Sequence, residues 1–329
     1  MLFRPTVRRL LRYGRQLADL ERPIVLMYHR VADLAVDPWR LAVSPEHFAV
    51  QIEVLTKERF AVPMYWLAKE LRAGRLPRKA AAVTFDDGYA DVLENALPIL
   101  ERFSCPVCVF ISTDMLRSDC GFWWDTLSHM IFEPVCLASE LHLELHGKSY
   151  WWRLSEDARQ TGTTPAIGRE ALHATLHGLL KPLRPDYRQS VLRRLAVWAG
   201  VDLNLHHHDR VMTADELCRL AGADAVEIGA HTRTHPSLPN LSRSEILREI
   251  GESRRDCEAL IDQPVSGFAY PFGDWNDVSV QAVRDTGLQY GVTTAGTEVS
   301  AESDPFLIPR IAVANWKQTD FQREILSYG

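Results

Sequence analysis

Two adjacent carboxylates close an apolar run in Ala81-Ala-Val-Thr-Phe-Asp86-Asp87-Gly88. Side by side at the end of a buried strand they repel each other unless positive charge lies close by, and a bound cation is the economical source of it. Gly88 allows a sharp turn after the acids, so both can approach one point instead of facing opposite sides as they would in a continuing strand. A second run, Val226-Glu-Ile-Gly-Ala-His231-Thr-Arg-Thr-His235-Pro236, also leaves an apolar stretch, this time with two histidines four residues apart. Pro236 favours a loop or short turn over a long helix at that point. Two imidazoles and one carboxylate form a three-ligand set suited to Zn²⁺ or a similar divalent ion, with a position left open for water and substrate, as catalytic sites require. Each motif alone has a plainer reading, since Asp-Gly is a common strand-end turn and histidines at that spacing are frequent on surfaces. Their combination at two strand ends carries the metal reading.

Strands must present these groups, and the sequence offers short apolar runs at Ile24–Tyr28, Ala80–Phe85, Val107–Ile111, Val226–Ala230, Gly267–Tyr270, Tyr290–Thr293 and Leu307–Val313. Helical periodicity lies between several of them, at Pro45–Arg59, Tyr89–Phe103, Ser242–Ile261 and Ser279–Thr286. Alternation of this kind predicts an α/β fold of parallel units, and seven strands suggest a barrel, distorted or incomplete, with the active residues at the strand C-terminal ends. The interval from about 114 to 210 is far longer than an ordinary connection and reads as an insertion. Leu141–Leu154 predicts a hairpin turning at Gly147, and Ile167–Leu180 and Asp186–Ala199 predict helices. Trp123, Trp124, Trp151 and Trp152 fall within the insertion, where packing is favoured over stacking on sugar rings.

Thr84-Phe-Asp-Asp-Gly88, His231-Thr-Arg-Thr-His235 and Tyr270-Pro-Phe-Gly273 resemble the ordered motifs of the polysaccharide deacetylase family, also called the NodB-homology domain or carbohydrate esterase family 4. The resemblance covers about residues 22 to 113 and 211 to 315. It implies a distorted (β/α)7 barrel, Asp87, His231 and His235 as metal ligands, Asp86 as general base, and Tyr270, Pro271, Phe272 and Gly273 beside the substrate, with a backbone N–H near Phe272 facing the oxyanion. The implied cofactor is a divalent metal, Zn²⁺ ahead of Co²⁺ or Ni²⁺. The late motif that usually ends in a catalytic His reads Leu307-Ile-Pro-Arg310, and Ala269 stands where an arginine usually precedes Tyr-Pro-Phe-Gly. Val25-Leu-Met-Tyr-His29-Arg-Val31 is similar to the opening motif of the deacetylases of poly-N-acetylglucosamine, whose acid comes from the first strand. On that basis His29 becomes the general acid and Arg310 the partner of Asp86, against the plainer reading of His29 as a core histidine at a strand end. The expected reaction is hydrolysis of the N-acetyl group of an N-acetylhexosamine in a glycan or lipid-linked sugar. Hydrolysis of another acyl bond is the alternative enzyme reading, and a metal-free carbohydrate-binding barrel is the non-enzymatic one.

A chain of 329 residues, 46% hydrophobic, is long enough for one large domain with insertions, here 22–329. Its net charge of −6 gives no reason to expect a nucleic-acid partner. Six scattered cysteines do not make a disulfide framework, and Cys105-Pro-Val-Cys108 reads as strand filling; a reducing, cytoplasmic setting is expected. Residues 1–21 carry Arg4, Arg8, Arg9, Arg12 and Arg15 with Phe3, Val7, Leu10, Leu11 and Leu17 near one face. A basic amphipathic helix of this kind either lies on an anionic membrane surface, at the inner face, or packs on the barrel. His206-His207-His208 beside Asp209 reads as a solvated insertion loop rather than a metal site.

Overall fold

A computed structural model describes residues 22–117, 121–154, 167–203 and 209–327. The N-terminal segment 1–21 and the His206–His208 tract lie outside the described residues. The chain divides into two compact units, the first taking residues 22–33, 40–117 and 211–327 and the second 34–39, 121–154, 167–203 and 209–210. Strands follow in chain order as β1 (Ile24–Tyr28), β2 (Arg30–Val31), β3 (Ala42–Val43), β4 (Phe60–Ala61), β5 (Ala80–Phe85), β6 (Val107–Ile111), β7 (Glu140–Leu145), β8 (Lys148–Arg153), β9 (Val226–Ala230), β10 (Gly267–Ala269), β11 (Tyr290–Val292) and β12 (Ile311–Ala312). The helices are α1 (Pro45–Glu58), α2 (Met64–Arg72), α3 (Leu97–Arg102), α4 (Trp123–Phe132), α5 (Arg169–Leu180), α6 (Pro185–Ala199), α7 (Ala214–Ala221), α8 (Arg243–Ile261), α9 (Asp277–Asp285) and α10 (Gln318–Ser327).

In the first unit the strands run in the order β11-β10-β9-β6-β5-β1-β12, all paired in parallel, with β4 against the start of β5. The sheet curls far enough for Ile308, just ahead of β12, to bridge Val292 of β11, where Thr293 N donates to Ile308 O at 2.8 Å. This is the distorted (β/α)7 barrel that the strand count and the family motifs imply. Every residue of β1, β5 and β6 is buried, which explains why their sequences are continuous apolar runs and not alternating ones: parallel strands covered by helices meet apolar surroundings on both faces. Helix α2 turns Met64, Leu67, Ala68 and Leu71 into a core shared with Val25, Ala82, Phe110, Tyr290 and Val292. Local chemistry sets the helix starts. Ser44 accepts from His47 N ahead of Pro45, and Ser242 and Glu245 form a reciprocal capping box at α8.

Two predicted elements are broken. The helix expected over Tyr89–Phe103 is a π-turn at Val92–Ala96 followed by α3, because Pro98 has no N–H and its ring crowds the carbonyl four residues back; Leu97 N reaches back to Val92 O instead. The strand expected over Leu307–Val313 is interrupted at Pro309, leaving the bridge at Ile308 and the two residues of β12. Cys105 and Cys108 are free and buried, and burial pushes the Cys105 thiol up to about 12, the reverse of a reactive thiolate.

The second unit holds α4, the β7–β8 hairpin, α5 and α6. Leu141, Leu143 and Leu145 alternate inward along β7, and the turn uses left-handed His146 and Gly147. Trp123 and Trp124 are buried, Trp124 stacks on Phe122 and Trp123 on His177, and Trp152 stacks on Tyr150, whereas Trp151 is 39% exposed. His129 bridges Glu133 Oε1 at 2.6 Å and Asp209. Among the described residues no helix is long and apolar enough to cross a membrane.

Candidate active site

The polar groups singled out in the sequence gather at the C-terminal ends of β1, β5, β9 and β10. At β5, Asp86 N donates to Tyr28 O at 3.0 Å, which continues the pairing with β1 by one residue. The chain then turns through Asp87 at φ +74° and Gly88 at φ +86°. Gly88 has two reasons to be glycine: that φ, and Ile111 Cδ1 lying 3.0 Å from where a Cβ would stand. At β9, His231 N donates to Ile111 O at 2.9 Å and continues the pairing with β6. The turn that follows has Thr232 at φ +63° and His235 at φ +52°, stabilised where His235 N donates to Thr232 Oγ1 at 3.1 Å. Phe272, beside His235, has φ +59°. Four non-glycine residues in a left-handed conformation at one place mark a site whose geometry the surrounding fold imposes.

Asp87 Oδ1 lies 3.4 Å from His231 Nε2 and 3.3 Å from His235 Nε2, and the two imidazole nitrogens are 3.1 Å apart. A four-coordinate ion with bonds of about 2.0–2.1 Å places its ligand atoms about 3.3 Å apart, so this triangle has the edge lengths of one face of such a site. The buried Asp87 Oδ1 has no hydrogen-bond partner, as a ligand oxygen held for a cation would not. His231 Nδ1 lies 2.8 Å from Ala269 O, which directs Nε2 toward the triangle. Among the described residues this is the cluster of acids and histidines close enough to share an ion. Burial would raise the Asp87 pKa, but the two imidazoles outweigh it and hold the carboxyl far below its ordinary value. Burial pushes His235 down to about 4, toward the neutral form that ligation needs, while for His231 the carboxylates of Asp87 and Asp86 overcome burial and raise it.

Asp86 has a different environment. Arg310, fully buried, donates from Nη1 to Asp86 Oδ1 at 2.7 Å and from Nη2 to Oδ2 at 2.6 Å, a two-pronged pair. The same guanidinium is held by Thr293 O at 3.0 Å from Nε and by Thr84 Oγ1 at 3.1 Å from Nη1. Burial raises the Asp86 pKa, and the Arg310 charge and hydrogen bonds more than offset this, so the group stays ionised below its usual range.

His29 follows the last residue of β1, half-buried, close enough for its charge to act on both Asp86 and Asp87. Its neighbours in sequence are tied down by a residue that sequence reasoning missed: Asp91 accepts from Arg30 Nε at 3.0 Å and from Val31 N at 2.8 Å. Tyr270 is buried with its hydroxyl donating to Phe306 O at 3.1 Å, so it supports the loop rather than facing out. Phe272 meets His235 edge to face at 4.5 Å. Gly273, at φ +71°, has Thr294 Oγ1 only 2.0 Å from the place of a Cβ, and Asp274 ties the loop to Ser237 Oγ at 2.7 Å.

Residues 73–161 and 196–291 match the family model for polysaccharide deacetylase. The chain belongs to the polysaccharide deacetylase family. It is 21% identical over 307 residues to a poly-β-1,6-N-acetyl-D-glucosamine N-deacetylase of Staphylococcus epidermidis, spanning 89% of this chain and 79% of that protein. With the Escherichia coli K12 protein of the same name it is 22% identical over 302 residues, 89% of this chain but 36% of that longer protein. In three dimensions it resembles IcaB from Ammonifex degensii, with a TM-score of 0.56 at 17% identity, over 94% of this chain and 97% of that one; at this identity the likeness speaks to the fold. The family is metal-dependent, and the Asp87–His231–His235 set fits a divalent ion.

Proposed function

We propose that this family member is a metal-dependent hydrolase that removes the acetyl group from an N-acetylhexosamine of a glycan or lipid-linked sugar. The observation that carries the reading is the junction of two unlike carboxylates: Asp87 in a triangle with His231 and His235, and Asp86 in a two-pronged pair with Arg310. The relatives named as poly-β-1,6-N-acetyl-D-glucosamine N-deacetylases support the amino-sugar substrate.

Asp87, His231 and His235 would hold the ion, with Zn²⁺ ahead of Co²⁺ or Ni²⁺. Bound there, it supplies Lewis acidity toward an acyl oxygen and toward water. Asp86 accepts a proton from the attacking water, and Arg310 fixes the direction from which it does so and keeps it ionised. A backbone N–H near Phe272 would donate to the oxygen on which negative charge develops. As the C–N bond breaks, His29 donates the proton that the departing amine needs, and acetate and the free amino sugar leave. The Arg-rich segment 1–20 belongs to the proposal as a membrane-surface element for a chain working in the cytoplasm on a lipid-linked precursor.

The test is acetate release from β-1,6-linked N-acetylglucosamine oligosaccharides by the full chain, stripped with chelator and reloaded with Zn²⁺ or Co²⁺. Metal-dependent release supports the proposal. A metal-loaded chain active on aryl acetates and inert on every amino sugar tested would overturn the substrate assignment, and one that binds no divalent metal would overturn the mechanism.

A further inference from the structure

The two proposed histidine ligands are separated by a three-residue turn whose backbone is poorly satisfied by its own segment. The N–H groups of Arg233 and Thr234 both end on one carboxylate oxygen: Glu249 Oε2 accepts from Arg233 N at 2.9 Å and from Thr234 N at 3.0 Å. The other oxygen, Oε1, accepts from Thr234 Oγ1 at 2.9 Å. Glu249 stands on α8 beside Ile246 and Ile250, which are buried in the core, so its backbone is fixed by the body of the first unit. The outer side of the turn has several partners, because the Arg233 side chain contacts Asp114, Glu252 and Asp256. The main-chain N–H groups share a single acceptor. Thr232 and His235 hold left-handed angles on either side of that contact, conformations that non-glycine residues leave readily when nothing restrains them.

We infer that Glu249 is a positioning residue for the metal site: by gathering both N–H groups of the His231–His235 turn, it sets the spacing of the two imidazoles and thereby the metal affinity. The inference rests on the metal reading of Asp87, His231 and His235. Outer partners that orient ligands commonly govern affinity by about 10–100-fold. The hydrogen-bond pattern makes a specific demand, because a glutamine can satisfy it too. Its oxygen would accept from the two N–H groups and its amide would donate to Thr234 Oγ1, so the geometry survives without the charge.

The experiment is a competition titration of Zn²⁺ between a chromophoric chelator and the full chain, with Glu249→Ala, Glu249→Gln and Thr234→Val in parallel. Glu249→Ala is expected to bind Zn²⁺ about 10–100-fold more weakly, Glu249→Gln within about threefold of the parent, and Thr234→Val in between. At saturating Zn²⁺, Glu249→Ala should recover its activity with the sugar KM unchanged. Zn²⁺ affinity within twofold of the parent in Glu249→Ala would overturn the inference. So would a Glu249→Gln chain as weak as the alanine variant, which would show charge and not hydrogen bonding at work. Should the alanine variant fail to fold, the glutamine and valine variants decide it by the same ordering. A parent chain that takes no Zn²⁺ from the chelator fails earlier, at the metal reading itself.

Discussion

Asp86 and Asp87 are neighbours with similar burial, 3% and 2% exposed, yet the protein treats their two sides of the site in opposite ways. On the Asp86 side both oxygens are answered by Arg310, which also donates to Thr84 and Thr293. On the Asp87 side the nearest groups are two imidazole nitrogens, and Oδ1 has no hydrogen-bond partner. A buried carboxylate oxygen that meets imidazoles without a hydrogen bond is costly, and the proposed cation would offset that cost. The contrast separates two roles that the sequence presents as one Asp-Asp pair: a carboxylate orientated by the chain and a carboxylate reserved for a ligand.

Substitutions sharpen that contrast. Asp87→Ala should abolish both tight metal binding and activity, seen as loss of metal by elemental analysis of the purified chain together with acetate release at background. Asp86→Asn should keep its metal and lose about 10²–10⁴ in kcat; wild-type turnover in this variant would remove Asp86 from the mechanism. His29→Gln should lose a similar factor on the amide and far less on an aryl acetate, whose leaving group needs no proton, so the ratio of the two rates reads the role of His29 directly. Arg310→Lys keeps the charge but not the two-pronged geometry, and a fall of about tenfold in kcat, roughly 1.4 kcal/mol, is expected with metal content intact. The smallest effect belongs to the second unit. Burial lowers the His129 pKa, but Asp209 and Glu133 outweigh it and raise it above its ordinary value. A raised folded pKa stabilises below the unfolded value, near about 6.5, and the benefit is lost as pH rises through the folded value. Thermal unfolding should therefore show a small decline in stability over that window, absent in His129→Gln.

Much of this was legible in the sequence because the barrel strands that bear the site are buried on both faces. Ile24–Tyr28, Ala80–Phe85 and Val107–Ile111 announce themselves as uninterrupted apolar runs, and the polar residues that end β1, β5 and β9 stand out against them. The placement of Arg310 beside Asp86 needed the family motifs, since nothing local marks one arginine among many. Asp91 carries no signal in the sequence, and Glu249 reads there only as one charge on the exposed face of a barrel helix, for a common reason: each accepts backbone N–H from another segment, which leaves no pattern in its own neighbourhood. Helix α4 was also missed, its aromatic residues having been read only as packing, and the two-residue strands β2, β3 and β4 are too short to show a period.

The pairing of Arg310 with Asp86 joins residues 224 positions apart. Contacts of such long range form late, because the intervening chain must be ordered before they can be made. Until the segment carrying Arg310 docks, the carboxylate at the end of β5 has no guanidinium to meet it, and a barrel already assembled through β11 would enclose an uncompensated charge. The segment that leads into β12, the last strand of this sheet in chain order, thus brings the guanidinium that answers Asp86. Removing that segment should therefore leave Asp86 buried without its guanidinium, so that the residue orientating the proposed base is also one on which a closed barrel depends.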